Sequence, residues 1–331
     1  MKITIITPSY NQAQYLEQTI DSVLSQGYED LEYMIFDGGS KDESVEIIKK
    51  YEKHLTYWES KPDKGQSDAI NKGLARASGE VINWLNSDDY YEAGTLNTVA
   101  EYFTNPNVLM LKGRSRIFDD ADNSTVQHSR GTDVYPNLLP KTIGMARIDQ
   151  PETFFRKSAI DVMGHLNPSL HYIMDKEWYI RFLLHFGLRG IADSDKIMVH
   201  FRYHRDSKTV AQQVKFDEET SALYAALAQA AGLDREAQLI QSLTPRPASD
   251  ISPLDYVAGK EGLIRAALQY FLLHKGDYYY YTGDSASASR CLKAIQLMML
   301  DAHAAQHRED LLRKNKVPAF LRKALRKATG K

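Results

Sequence analysis

Residues 2–90 alternate between short β-rich apolar runs and stretches with helical apolar spacing, and this alternation decides the fold class. Lys2–Thr7, Glu32–Phe36 and Val81–Leu85 are the β-rich runs. Between them Leu16, Ile20, Val23 and Leu24 recur on one helix face, and Val45, Ile47 and Ile48 lead a second amphipathic stretch. A third helix is expected over Gln66–Ala77, closed at Gly79 in a left-handed conformation. Strand–helix–strand order of this kind implies an α/β, Rossmann-like fold: a mainly parallel sheet with right-handed crossovers, sandwiched by helices. Ligands of such sheets sit beyond the carboxyl ends of the strands.

Further along, Lys112–Leu139 is polar and turn-rich and receives no assignment. Glu152–Phe155 reads as a strand, Lys157–Gly164 and Asp175–Phe186 as helices, and Lys196–Tyr203 as a strand. From about Val210 the chain turns to alanine-rich helix, interrupted at Leu243–Pro253. Helices resume over Leu254–His274 and Ser285–Ala304, with the tyrosine run Tyr278–Tyr281 between them. The 331 residues therefore divide into an α/β domain, 1–208, and an all-α extension, 209–331.

The formal charge of −2 hides an asymmetry, because residues 313–331 hold eight basic residues and no acidic one. The remainder is about ten charges negative, which argues against a nucleic-acid binder. No apolar stretch approaches the roughly 18 residues needed to span a bilayer. The apolar run at the N-terminus is too short for a signal peptide. A lone cysteine, Cys291, excludes an intrachain disulfide and a cysteine-based zinc site. A cytoplasmic setting is expected.

Polar residues gather where the β-runs end. Asp37-Gly38-Gly39-Ser40 follows the second run, an acid with glycines that permit close backbone approach, which suits the base or ribose of a nucleotide. Ser40 and Glu43 also fit a helix-capping box. The third run ends in Asn86-Ser87-Asp88-Asp89. Adjacent carboxylates at the end of a buried strand repel unless a cation or strong donors neutralise them. Oxygen donors of this kind suit Mg²⁺ or Mn²⁺, which also takes phosphate oxygens of a substrate. The other reading is an N-cap for a helix near Ala93.

Taken together, five motifs resemble the N-terminal half of a family 2 glycosyltransferase with the GT-A fold. They are Thr7-Pro8-Ser9-Tyr10-Asn11, Ile20–Gln26, Asp37–Asp42, Pro62–Gly73 and Leu85–Asp89. The resemblance implies that Thr7, Pro8, Ser9, Asp37 and Gly38 hold the donor nucleoside, with Asp63 and Asp68 lining its pocket. It makes Asp88 and Asp89 the metal and diphosphate motif, with Asp89 the direct ligand. Asp175-Lys-Glu-Trp-Tyr-Ile-Arg181 resembles the family's acidic helix start, although Met174 stands where an acid is usual. This match implies Asp175 as general base, with Glu177 the nearest competitor. Phe201–Thr209 resembles the segment that closes over the diphosphate, placing Arg202 and Lys208 on phosphates and His204 on the metal. Gln150, Glu152 and Thr153 fall on the acceptor side.

What the resemblance implies is an inverting transfer that uses Mn²⁺ or Mg²⁺, a nucleoside-diphosphate sugar (a UDP-sugar by default) and a sugar or lipid-linked glycan acceptor of the cell envelope. A sugar nucleotidyltransferase would open on a glycine- and base-rich triphosphate loop, which Thr7–Asn11 is not. A non-catalytic nucleotide-sugar binder is disfavoured by intact Asp37, Asp88, Asp89 and Asp175. In the tail, Phe320, Leu321, Ala324 and Leu325 alternate with basic residues, the pattern of an amphipathic helix on an anionic bilayer. A solvated terminus and a contact with a partner are the other readings, and the first implies a peripheral location on the inner face of the plasma membrane.

Overall fold

The computed structural model describes residues 1–204, 207, 212–251 and 254–317. Lys208 and the tail residues from 318 onward lie outside the described residues. The chain forms two compact units: Met1–Val134 with Arg147–Asp217, and Tyr135–Ala146 with Glu218–Lys331.

The first unit is built on β1 (Ile3–Ser9), β2 (Leu31–Asp37), β3 (Tyr57–Ser60) and β4 (Val81–Trp84), joined through α1 (Ala13–Leu24), α2 (Ser44–Tyr51) and α3 (Gln66–Arg76). These strands lie parallel in the order β3-β2-β1-β4. The sheet continues through β8 (Thr153–Arg156), β6 (Met110–Asp119), β9 (Ile191–Tyr203) and β5 (Tyr90–Tyr91), with β7 (Thr125–His128) beside β6. Past β4 it becomes mixed, since β8 is antiparallel to both neighbours while β9 runs parallel to β6. The GT-A architecture expected from sequence is present, with β6 and β7 filling the unassigned segment 112–139.

Every residue of β1 is buried because helices cover both faces. Ile3 and Ile5 pack with Leu16, Ile20 and Val23 of α1. Ile6 faces α3 at Gly73, where an added Cβ would lie 2.6 Å from Ile6 Cγ2. Gly79 is not left-handed. Its place is set by close approach, since a Cβ there would meet Thr4 Oγ1 at 2.5 Å. Helices α4 (Thr95–Phe103), α6 (Lys157–Met163) and α7 (Met174–Phe186) complete the unit.

The second unit is helical: α5 (Leu139–Gly144), most of α8 (Gln213–Ala230), α9 (Asp234–Gln241), α10 (Glu261–Thr282), α11 (Ser285–Ala294) and α12 (Ala302–Asn315). Its centre is the stacked pair Tyr224 and Phe271, with ring centroids 3.9 Å apart. The Tyr224 hydroxyl donates to the Ile143 carbonyl of α5. Two expectations fail here. The tyrosine run lies inside α10, because Tyr280 is buried and extends the helix's inner face. The helix expected over 285–304 breaks after Ala294, and the chain turns before Asp301 caps α12 through the Ala304 amide.

Candidate active site

The parallel registers put the carboxyl ends of four strands on one edge. Ser9 pairs with Asp37 and Asp37 with Ser60, while Trp84 is level with Ile6. The loops leaving β1 and β2 are tied to each other. The Asn11 amide donates to Ser40 Oγ (2.8 Å), the Lys41 amide to Asn11 Oδ1 (2.8 Å), and the Ala13 amide to Asp42 Oδ2 (3.0 Å). The capping box does not form, since Ser40 is used in this knit and α2 begins at Ser44 with no side-chain cap.

Asp37 is buried, and its Oδ2 accepts from the amides of Gly39 (3.0 Å) and Ser40 (2.9 Å) and from Ser60 Oγ (2.6 Å). Its carboxylate shapes the loop rather than standing open. Thr7 is likewise turned inward, its hydroxyl 3.1 Å from Tyr33 Oη. Pro8 and Ser9 are buried, and Ser9 Oγ has no hydrogen-bond partner. Gly38 lies against Asp63: a Cβ there would meet Asp63 Oδ2 at 3.0 Å, so glycine is what admits that carboxylate. Asp63 Oδ1 accepts from the Gly65 amide at 2.8 Å. Asp68 is paired with Lys72 at 3.2 Å.

Asp88 and Asp89 follow β4 in a tight turn, with the Asp89 amide bonded to the Asn86 carbonyl at 3.1 Å. Neither caps a helix, because α4 starts later behind Gly94. The turn is held from two sides. From α1, Thr19 Oγ1 donates to the carbonyls of Ser87 (3.0 Å) and Asp89 (2.7 Å). Ser22 and Gln26 of the second motif do the same for the next residues, bonding the Tyr91 amide (3.1 Å) and the Glu92 carbonyl (3.0 Å). From the end of β9, the Arg202 amide donates to Asp89 Oδ1 (3.0 Å) and Arg202 Nε to the Asp88 carbonyl (2.9 Å). His204 Nε2 lies 3.1 Å from Asp88 Oδ2.

Arg202 thus does not offer its guanidinium to phosphates as expected. It is 7% exposed, pairs with Asp120 and Gln18, and lies over the Tyr15 ring at 4.4 Å. Tyr15 also donates to Asp120, at 2.8 Å. The motifs gave no sign of Tyr15, Gln18 and Asp120; they converge from α1 and the end of β6.

Burial, then the charge of Asp88, then that of Glu152 push Asp89 well above the usual carboxylate range. Its Oδ2 is buried without a hydrogen-bond partner. A buried carboxylate with an orphaned oxygen is costly unless a cation meets it. Among the described residues no cluster of three or more His, Cys, Asp or Glu side chains would hold a metal by itself. Mg²⁺ and Mn²⁺ do not need one, since such ions take one or two carboxylates and complete their shell with phosphate and water. The Asp88–Asp89 carboxylate pair fits that chemistry, with His204 beside it at 3.1 Å from Asp88.

The residues expected on the acceptor side are hydrogen-bonded within the scaffold. Gln150 Nε2 donates to Asn83 Oδ1 and the Trp84 carbonyl (both 2.8 Å), and Thr153 Oγ1 donates to the Asp149 carbonyl at 2.7 Å. Both side chains are buried in the scaffold. Glu152, also buried, accepts from Ser129 Oγ at 2.7 Å, and burial with the Asp149 charge pushes it up to about 8.

Asp175 begins α7 and is half-buried. Burial pushes its carboxyl up to about 6, and the Asp149 charge adds to the rise. Glu177, the competitor, is fully buried and forms a two-point ion pair with Arg181. Arg181 also donates to the carbonyls of Met163 (2.8 Å) and His165 (2.7 Å), so the Asp–Arg spacing of this motif serves to anchor the helix.

A family model described as glycosyl transferase family 2 matches residues 4–161. An uncharacterized glycosyltransferase of Mycobacterium tuberculosis is 39% identical over 187 residues, 55% of this chain and 69% of that relative. A putative teichuronic acid biosynthesis glycosyltransferase, TuaG of Bacillus subtilis, is 37% identical over 105 residues. That alignment covers 30% of this chain and 41% of the relative, so this chain spans less than half of TuaG's length. Among solved structures, a fragment of Staphylococcus aureus TarS in complex with UDP superimposes with a TM-score of 0.60 at 18% identity. It covers 98% of this chain and 92% of that fragment, and the same fragment was also crystallised with UDP-GlcNAc.

Proposed function

The chain belongs to glycosyl transferase family 2, and from that premise we propose that it transfers a sugar, with inversion, from a nucleoside-diphosphate sugar to an acceptor hydroxyl. The observation that carries this reading is the Asp88–Asp89 turn, with the buried, unpartnered Oδ2 of Asp89 beside the carboxylate of Asp88 and His204. A divalent cation bound there supplies Lewis-acid neutralisation of the departing diphosphate. Asp89 and His204 would hold it. Arg202 and Thr19 fix the turn before any substrate arrives, so no reorganisation is required during the reaction.

The nucleoside sits over the knitted loops after β1 and β2. There Gly38 admits Asp63, and the backbone of Thr7–Ser9 forms the floor. Asp175 removes the proton of the acceptor hydroxyl as its oxygen bonds to the anomeric carbon and the bond to the diphosphate breaks. One base on the face opposite the leaving group gives inversion. A carboxyl raised to about 6 is ionised at neutral pH and closer in basicity to its task than an ordinary aspartate.

The donor class is a uridine diphosphate sugar and the acceptor a sugar or lipid-linked glycan of the bacterial surface. The likeness to a teichuronic acid enzyme supports this choice of acceptor. The basic residues 313–331 hold the enzyme at an anionic membrane surface. The test is a panel of nucleotide sugars with Mn²⁺ or Mg²⁺: release of nucleoside diphosphate that depends on the sugar supports the reading. Pyrophosphate released from a nucleoside triphosphate and a sugar phosphate would replace it with nucleotidyl transfer.

A further inference from the structure

Tyr278 and Tyr281 are 45% and 63% exposed at the carboxyl end of α10, whereas Leu268–Leu273 of the same helix are buried at every position. With the exposed His274 they recur at i, i+4 and i+7, so they form one outward stripe. We propose that this stripe and the basic last turn of α12 form a docking face for an anionic lipid bilayer. The proposal rests on the peripheral-membrane reading above and extends it from the tail to the folded helical unit.

One contact ties α12 to α10 and one to the start of α11 just beyond it: His307 Nε2 is 2.8 Å from Asp277 Oδ2, and Asn315 Nδ2 donates to the Ser285 carbonyl at 2.9 Å. The basic end of α12 is thereby delivered to the end of α10 that carries the two tyrosines. Arg313, Lys314 and Lys316 are all exposed there. The facing acids are few: Asp310 pairs with Arg313, and Asp284 accepts from the Ser287 amide as the cap of α11. From this same end the chain continues into residues with five more basic groups and no acid, interspersed with Phe320, Leu321 and Leu325.

Tyrosine rings are amphipathic and favour the headgroup level of a membrane, where lysine and arginine meet lipid phosphate. Aromatic rings beside an unopposed run of positive charge match an anionic bilayer in both respects. A second protein would more often meet the rings with an apolar surface and the charges with acids.

The test is flotation of the full chain with phosphatidylcholine vesicles, with and without phosphatidylglycerol. The chain should partition onto the anionic vesicles alone. Lys314→Gln with Lys316→Gln should lower partition about 25-fold, roughly fivefold per charge. Tyr278→Ser with Tyr281→Ser should lower it on the order of fivefold per ring, and leave transfer to a soluble acceptor unchanged. Wild-type partition in the tyrosine variant would overturn the docking face and leave the tail's role standing. Failure of the wild-type chain to float with anionic vesicles would overturn both. Self-association that the tyrosine variant loses, without vesicle binding, would assign the stripe to a second copy of the chain and also overturn the proposal.

Discussion

Replacing Asp175 with asparagine removes a proton acceptor and a buried charge at once, and the two losses act in opposite directions. Burial raises the carboxyl from its ordinary 3.8 to about 6, which amounts to about 3 kcal/mol of preference for the neutral form. Between those two values the folded state binds a proton that the unfolded chain has released. The stability contributed by this group is therefore present in full below pH 3.8, lost as pH rises to about 6, and level thereafter. Asparagine is neutral throughout, and its Oδ1 still accepts the Lys176 amide that bonds Asp175 at 2.7 Å. The variant should be more stable than wild type at pH 8 by up to about 3 kcal/mol, with the gain fading by about pH 4. Its kcat should fall by roughly 10²–10⁴ while donor affinity holds, a loss of about 3–5 kcal/mol of transition-state stabilisation. Wild-type kcat/KM should itself fall as pH drops below about 6. Urea denaturation from pH 4 to 8 reads the first effect, and release of nucleoside diphosphate with calorimetric donor titration reads the second. A variant that keeps kcat within about tenfold of wild type would refute Asp175 as base. One that is less stable at pH 8 would refute the burial argument.

Asp89→Ala should abolish metal-dependent turnover and leave the chain folded, because Oδ2 makes no bond and only the Arg202 amide loses its acceptor, Oδ1; turnover measured across a Mn²⁺ titration and a cooperative thermal transition check this. Arg202→Lys should weaken metal affinity by roughly 10–100-fold, since lysine cannot reach the Asp88 carbonyl, Asp120 and Gln18 together. Excess Mn²⁺ should recover part of the activity. Arg181→Leu removes the two-point ion pair of the fully buried Glu177 carboxylate and should cost about 3–5 kcal/mol in denaturant unfolding. Gly144→Ala would force a Cβ to within 2.1 Å of the Ala267 carbonyl oxygen, a backbone atom with no rotamer to escape into. A drop in melting temperature should follow, and an unchanged one would show that α5 can shift on α10.

The α/β order was legible in the sequence because strands and helices leave periodic traces that depend on neighbours a few residues away. The strand-end loops were legible for a related reason: Asp37-Gly38 and Asp88-Asp89 each place their chemistry within one turn. Roles that depend on distant contacts were not legible. Arg202 read as a phosphate ligand because a lone arginine in a polar segment looks the same whether its partners are substrate or protein. Its partners here, Gln18, Asp88 and Asp120, lie 82 to 184 positions away. The partners of Gln150 and Thr153 were hidden for the same reason, as their hydrogen bonds go to Asn83, Trp84 and Asp149 inside the scaffold. The Asp175–Arg181 spacing shows how a correct motif match can carry an incomplete explanation. It pointed to Asp175, the proposed base, but the arginine six residues on serves Glu177, the residue that sequence had left as the rival. The ion pair occupies the carboxylate of Glu177, and it anchors the first turn of α7, where Asp175 is half-buried and burial raises its carboxyl.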